Sequence, residues 1–235
     1  MPSKRSAVSE ANLAVNGNRR SVYAFLSRMY EREISMELLK ELVDEKSPIF
    51  QIVGAEGLNE DMEKGFDLLA RYLHQSGKDL EKIKLELDVE YTGLFLGLRG
   101  KPIHPSESIY LSGGPYTHQE PTVEVAKLYW KAGVDKVKEF TEPEDHIAIE
   151  LQFMEYLCRK TIEAIERKDA DKAKEYLKMQ QSFLEAHLGK WVPQFAEDVI
   201  ASAEADFYKG VAYVTRGFVE SEVKAVSALI EDRSP

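Results

Sequence analysis

The chain has 235 residues, 43 % hydrophobic and 31 % charged, with a formal net charge of −10, a composition that supports a large buried core in a globular fold. That acidity excludes non-specific nucleic-acid binding, which needs Lys and Arg stripes against the phosphate polyanion, and suits a basic partner or simple solubility. Cys158 is the only cysteine, which excludes intramolecular disulfides and thiolate metal clusters and is compatible with a reducing cytoplasm, and no apolar run approaches the ~20 residues that cross a bilayer.

Residues 1–9 are polar and read as a flexible N-terminus ahead of one helical domain over 10–235. From Glu10 to Glu31, Tyr23, Leu26 and Tyr30 recur at spacings of three and four, beside Val22, Phe25 and Met29, and give one broad apolar helix face. Asn18-Arg19-Arg20-Ser21 within it imitates a twin-arginine export signal. Only Val22 to Leu26 is apolar before Ser27 and Arg28, short of the about 7 to 15 residues of a signal core, so the segment reads as the amphipathic first helix. Ser35 is an N-cap for a short helix with Leu38, Leu39 and Leu42, ended by Ser47-Pro48.

Asn59, followed by Glu60, Asp61 and Glu63, places an amide cap and carboxylates at the positive end of a helix dipole. Leu58, Met62, Phe66, Leu69 and Leu73 fall on its face, and Gly77 stops it. The next face, Leu80, Ile83, Leu87, Tyr91, Leu94 and Leu98, ends in Tyr91-Thr92-Gly93-Leu94-Phe95-Leu96-Gly97. Helical patterning then stops from Arg99 to Pro121, a loop long enough to be a binding or regulatory segment. Pro102, Pro105 and Pro115 stiffen it, and Tyr110, Tyr116, His104 and His118 offer an aromatic platform. Equally, Tyr110 pins the loop to the core.

After a short helix over Thr122 to Ala132, Thr141-Glu142-Pro143-Glu144 reads as a capping box that opens a long helix with Asp145 in its first turn. Ile147, Leu151, Met154, Cys158, Ile162 and Ile165 form its stripe, and Ile149, Phe153 and Leu157 add a second apolar side. Asp169 starts the next helix. Later helices carry Trp191, Val192, Phe195 and Val199, then Phe207, Tyr208, Val211, Phe218, Val219 and Val226, with Gly210 and Gly217 as breaks. No strand-length alternation occurs. The expected fold is all-α, a single-domain bundle of about nine or ten helices with one long loop.

No phosphate-binding glycine loop, nucleophile elbow, HExxH or zinc spacing is present, nor the Glu-x-x-His pairs of bundle di-iron sites. Asp145, His146 and Glu150 are the best chemical cluster, because His146 and Glu150 at i and i+4 share a helix face. The trio could bind a cation, and thus serve a metal-dependent hydrolase, relay a proton or hold a basic peptide. The plainer alternative leaves Asp145 on the dipole, Glu150 solvated and His146 bonded to a loop carbonyl. Leu94 and Phe95 suit core packing first and a peptide groove second.

Tyr91-x-x-Leu94-Phe95-x-Gly97, then Pro105-x-x-Ser108-x-Tyr110, then Glu142-Pro143-x-Asp145-His146-Ile147-x-x-Glu150-Leu151-x-Phe153-Met154 together resemble the TorD/DmsD family of redox-enzyme maturation chaperones. The resemblance covers much of residues 19–160. It implies an all-helical, non-enzymatic cytoplasmic protein without a cofactor of its own. Such a protein binds the twin-arginine signal peptide of an apo-molybdoenzyme of the dimethyl-sulfoxide-reductase type, delays its export and keeps it competent for cofactor insertion, as a monomer or homodimer and alongside molybdenum-cofactor delivery proteins. By position, Tyr91, Leu94, Phe95, Gly97, Pro105, Ser108, Tyr110, Asp145, His146 and Glu150 would line the client-peptide surface. Asp145 would meet the client's arginines, and Leu94 and Phe95 its apolar part.

Overall fold

The helix starts written into the sequence carry the caps expected of them. Ser35 Oγ accepts the Leu38 amide at 3.2 Å, Asn59 Oδ1 the Met62 amide at 3.0 Å and Asp169 Oδ1 the Lys172 amide at 2.9 Å. Each cap satisfies one of the amides a helix start leaves free. A computed structural model describes residues 4–44, 46–51, 58–75, 79–98, 100–112, 119–136 and 140–231. Gly77, Pro115, Tyr116 and His118 lie outside the described residues.

In order, the helices are α1 (Lys4–Glu31), α2 (Met36–Val43), α3 (Pro48–Gln51), α4 (Glu60–Leu73), α5 (Leu80–Phe95), α6 (Glu107–Leu111), α7 (Glu120–Lys131), α8 (Ile147–Glu166), α9 (Ala170–Phe183), a π-helical turn (Leu184–Leu188), α10 (Gly189–Ser202) and α11 (Asp206–Glu231). The described residues contain no strand, as the all-α reading expects, only an isolated antiparallel bridge between Ser106 and His146. The first helix begins earlier than Glu10, and the long loop encloses a helix of its own, α6. No helix among the described residues is long and apolar enough to cross a membrane.

The bundle has two main helix pairs, α1 along α8 and α4 along α11, with α9 against α8 and α10 against α11. Their apolar stripes merge into one core through Tyr23, Leu26, Leu151, Met154, Trp191 and Tyr208. Gly210 and Gly217 do not break the last helix, which runs unbroken through both. They sit where α4 and α11 nearly touch. A Cβ on Gly210 would lie 2.7 Å from the Gly65 carbonyl oxygen, and one on Gly217 would lie 2.4 Å from Asn59 Oδ1. Their smallness, not their helix-breaking tendency, decides their place.

The twin-arginine look-alike is resolved here too. Arg19 is 5 % exposed and grips Glu222 through Nε at 2.8 Å and Nη2 at 2.7 Å, with Nη1 on Asn16 at 2.9 Å and Nη2 also on Gln180 at 2.6 Å. Tyr23 donates to the same Glu222 carboxylate at 2.8 Å. Arg19 is therefore a core ion pair with its fork satisfied, the condition under which a buried guanidinium is tolerated. Cys158 lies beside this network, fully buried, and burial pushes its thiol up to about 12, so it is inert packing.

Candidate functional site

The motif at the end of α5 forms a tight helix stop. Gly97 takes φ 79°, and the amides of Leu96 and Leu98 both return to the Thr92 carbonyl, at 3.1 and 3.3 Å. This is the left-handed glycine stop that lets the chain reverse without Cβ strain. The reversed chain is then pinned as the Ile103 amide donates to the Leu94 carbonyl at 2.8 Å. Leu94, Phe95 and Tyr91 are themselves buried, with Tyr91 donating from its hydroxyl to the Tyr30 carbonyl at 3.1 Å. Core packing is their role in this arrangement.

The strap formed by residues 100–112 next crosses the start of α8. Pro105 accepts the Ile147 amide at 2.8 Å, and the Glu107 amide donates to the Asp145 carbonyl at 3.0 Å. The expected capping box at Thr141 does not form a helix start. The His146 amide folds back to the Pro143 carbonyl at 3.0 Å, which makes a turn, and pairing with the strap keeps residues 145–146 extended. Helix α8 begins instead at Ile147, and His146 is its N-cap, with Nδ1 accepting the Ala148 amide at 3.1 Å.

Asp145 does more than complement a dipole. It is fully buried, Oδ2 accepts the Ser108 amide at 2.7 Å and Oδ1 accepts the Thr122 hydroxyl at 3.0 Å. One carboxylate thus joins the starts of α6, α7 and α8, and its two strong acceptors are spent on short bonds. His146 is 3 % exposed. Burial lowers its pKa to about 4, against the raising effect of Asp145, so the imidazole is neutral at pH 7 with Nδ1 as acceptor.

Glu150, read from the sequence as solvated, is fully buried. Its Oε2 accepts the Trp191 indole N–H at 3.1 Å. Desolvation, and then the charge of the Glu107 carboxylate beside it, push its pKa well above the usual carboxylate range, because two buried like charges cannot both be ionised cheaply. Glu107 is in turn paired with His187, whose Nδ1 lies 3.0 and 3.1 Å from the two carboxylate oxygens; with the proton on Nδ1, the imidazole donates. Tyr129 closes this compartment, donating to the Glu144 carbonyl at 3.0 Å, and burial followed by the charge of Glu150 holds its phenol well above its ordinary range.

Tyr110 settles as the pin. Its hydroxyl donates to Asp198 Oδ2 at 3.0 Å, and its ring rests 5.5 Å from Trp191 and 6.1 Å from Phe195. Pro105 and Gly97 are half-buried at the ends of the strap, and Ser108 is fully buried beneath it. The ten residues singled out in the sequence therefore meet in one connected region, with most of their side chains facing inward. Glu107, His187, Trp191 and Thr122 complete that region and were missed. His187 and Trp191 stand at i and i+4, a usable hint, whereas Glu107 carries no local signal inside a polar loop.

The arrangement does not support the hydrolase alternative. Asp145 is committed to Ser108 and Thr122, His146 Nδ1 to the Ala148 amide and Glu150 Oε2 to Trp191. Among the described residues no group of three His, Cys, Asp or Glu side chains is arranged to hold a metal ion.

Comparison with known proteins agrees with this reading. Residues 55–197 match the family described as nitrate reductase delta subunit. Chaperone protein TorD of Photobacterium profundum is 28 % identical over 196 residues, covering 83 % of this chain and 88 % of that protein. Chaperone protein TorD of Vibrio parahaemolyticus is 29 % identical, covering 87 % and 93 %. A crystal structure assigned to a redox enzyme maturation protein of Archaeoglobus fulgidus superposes with a TM-score of 0.52 at 23 % identity, covering 86 % of this chain and 93 % of that one, a likeness that bears on the fold. The matched relatives are chaperones, not catalysts. Buried carboxylates spent on the protein's own amides and helix starts are what a binding scaffold needs, and the chain belongs to the nitrate reductase delta subunit family, within it to the TorD/DmsD redox-enzyme maturation chaperones.

Proposed function

We propose that this protein is a cytoplasmic chaperone for an apo-molybdoenzyme of the dimethyl-sulfoxide-reductase type, binding its twin-arginine signal peptide and keeping it ready for cofactor insertion before export. The observation that carries this reading is a family match spanning the strap and both its flanking helices, residues 55–197. Tyr91, Leu94, Phe95, Gly97, Pro105, Ser108, Tyr110, Asp145, His146 and Glu150 frame the client-binding region. With the strap closed, Asp145 and His146 are shielded, so their contact with client arginines requires residues 100–112 to lift from α8. Molybdenum-cofactor delivery proteins are further partners, and the protein acts as a monomer or homodimer.

The test is titration of the purified protein with a synthetic twin-arginine leader and with its Lys-Lys version. Binding of the first at roughly 50 µM or below and clear weakening of the second are expected; equal binding of both, or none, would sink the reading. Asp145→Ala combined with His146→Ala should weaken binding with helicity retained in circular dichroism.

A further inference from the structure

Helix α5 has two apolar faces. Ile83, Leu87, Tyr91 and Leu94 point into the core, while Leu85, Val89 and Leu96 are 64 %, 43 % and 61 % exposed. Spacings of four and seven put these three on a single outer stripe, about 16 Å long at the helical rise. An exposed stripe of this kind on a globular protein marks a contact surface more often than scattered surface leucines do.

The stripe borders a groove. A lobe of about 360 Å³ lies between Tyr72 of α4, Leu85, Glu86 and Val89 of α5, and Glu204 before α11. A second lobe of about 250 Å³ continues past Gly93 and Leu94 to Lys101 and Ile103 of the strap. Glu90 and Glu204 line both lobes, so they form one channel along α5. The carboxylates are held in place: Tyr72 donates to Glu86 Oε2 at 3.0 Å, and Glu90 Oε1 accepts the Glu204 and Ala205 amides at 2.6 and 2.7 Å. Burial and then the Glu86 carboxylate raise the Tyr72 phenol pKa. The charged residues lining the first lobe are all acidic, and Lys101 stands only at the strap end of the second. Apolar floor and negative walls together match a segment that carries arginines beside an apolar run.

We propose that this groove is an outer docking site for the client leader with the strap closed, its arginines against Glu86 and Glu204 and its apolar run over Leu85, Val89 and Leu96. The proposal rests on the chaperone reading above and adds the surface that a leader meets before Asp145 is uncovered.

The probe is a fluorescent synthetic peptide with two adjacent arginines followed by an apolar run, titrated into the full-length protein. Leu85→Asp combined with Val89→Asp should weaken binding about tenfold or more, and Glu204→Lys should weaken it further at low salt. Trp130→Ala, which alters a side chain 83 % exposed on α7, should leave affinity unchanged. Photo-crosslinking of the unmodified protein with a benzophenone-bearing leader reads the same surface without any variant and should label peptides from residues 80–98. Wild-type binding with affinity unaltered in the double variant, and crosslinks confined to other helices, would overturn the groove and leave the chaperone reading standing. No binding by the wild type overturns both. A dimer that the double variant dissociates in light scattering would assign the stripe to a second copy of this chain and overturn the proposal as well.

Discussion

Asp145 Oδ2 accepts the Ser108 amide at 2.7 Å across 37 residues of sequence, and this bond is what fastens the strap over the start of α8. Asp145→Ala leaves the Ser108 amide and the Thr122 hydroxyl without their partner inside the protein and should cost about 2–4 kcal/mol of stability. Hydrogen exchange should show faster exchange at Ser108 and the neighbouring α6 amides while the α4 and α11 amides keep their protection. Uniformly faster exchange across the bundle would show that the residue holds more than the strap.

Two buried groups near the strap titrate with opposite effects on stability. His146 has its pKa lowered to about 4 from 6.5, so its contribution is complete above pH 6.5 and is lost as pH falls through 4, about 3 kcal/mol in all. His146→Asn keeps a side-chain cap that cannot be protonated. In urea unfolding at pH 7, 5.5 and 4.5 the variant should lose less stability on acidification than the wild type.

Glu150 behaves the other way. Its folded pKa is raised above the unfolded 4.5, so the folded protein holds a proton the unfolded chain has released; the associated stability is complete below pH 4.5 and is lost as pH rises through the folded value. Glu150→Gln, which mimics the protonated acid, should match the wild type at pH 5 and exceed it at pH 8. A variant weaker at both values would mean that the ionised carboxylate is the stabilising form.

The Arg19–Glu222 pair joins the first and last long helices with both groups at most 6 % exposed. Glu222→Gln removes the charge opposite a buried guanidinium and should cost about 3–5 kcal/mol. Chemical denaturation measures this directly. A change below about 0.5 kcal/mol would place Arg19 among ordinary surface ion pairs.

Glycines in this bundle divide into two kinds. Gly217→Ala would drive a Cβ to 2.4 Å from Asn59 Oδ1 and 2.9 Å from the Met62 amide nitrogen, separating α4 from α11 at a cost of about 1–3 kcal/mol or more. Gly17→Ala meets nothing within 4 Å inside α1 and should stabilise by about 0.5–1 kcal/mol through helix propensity. Melting temperatures should move in opposite directions.

The fold was legible wherever local chemistry decided it. Ser35, Asn59 and Asp169 announced their helices because a cap acts within three residues of itself. The capping box at Thr141 misled, because pairing between Ser106 and His146, a contact across 40 positions, overrode a good local start. Gly210 and Gly217 looked like breaks because their reason lies on a different helix. For the site, the motif positions were readable and their company was not. Glu150 was expected in solvent on the strength of an i, i+4 pattern, yet Trp191 and Glu107 enclose it from α10 and α6. Such burial comes from elements far apart in the chain, and no window of sequence displays it.

The π-helical turn at Leu184–Leu188 carries one residue more than a straight α-helix would, with the Gly189 amide reaching the Leu184 carbonyl. It rotates everything downstream by about 100° relative to everything upstream. Leu177 and Phe183 can thereby serve one wall of the interior while Trp191 and Phe195 serve another, within a single uninterrupted rod. Excising one residue from that turn would straighten the rod and swing the indole away from Glu150, so the phase of this helix, more than any single side chain, fixes which surface α10 offers to the strap.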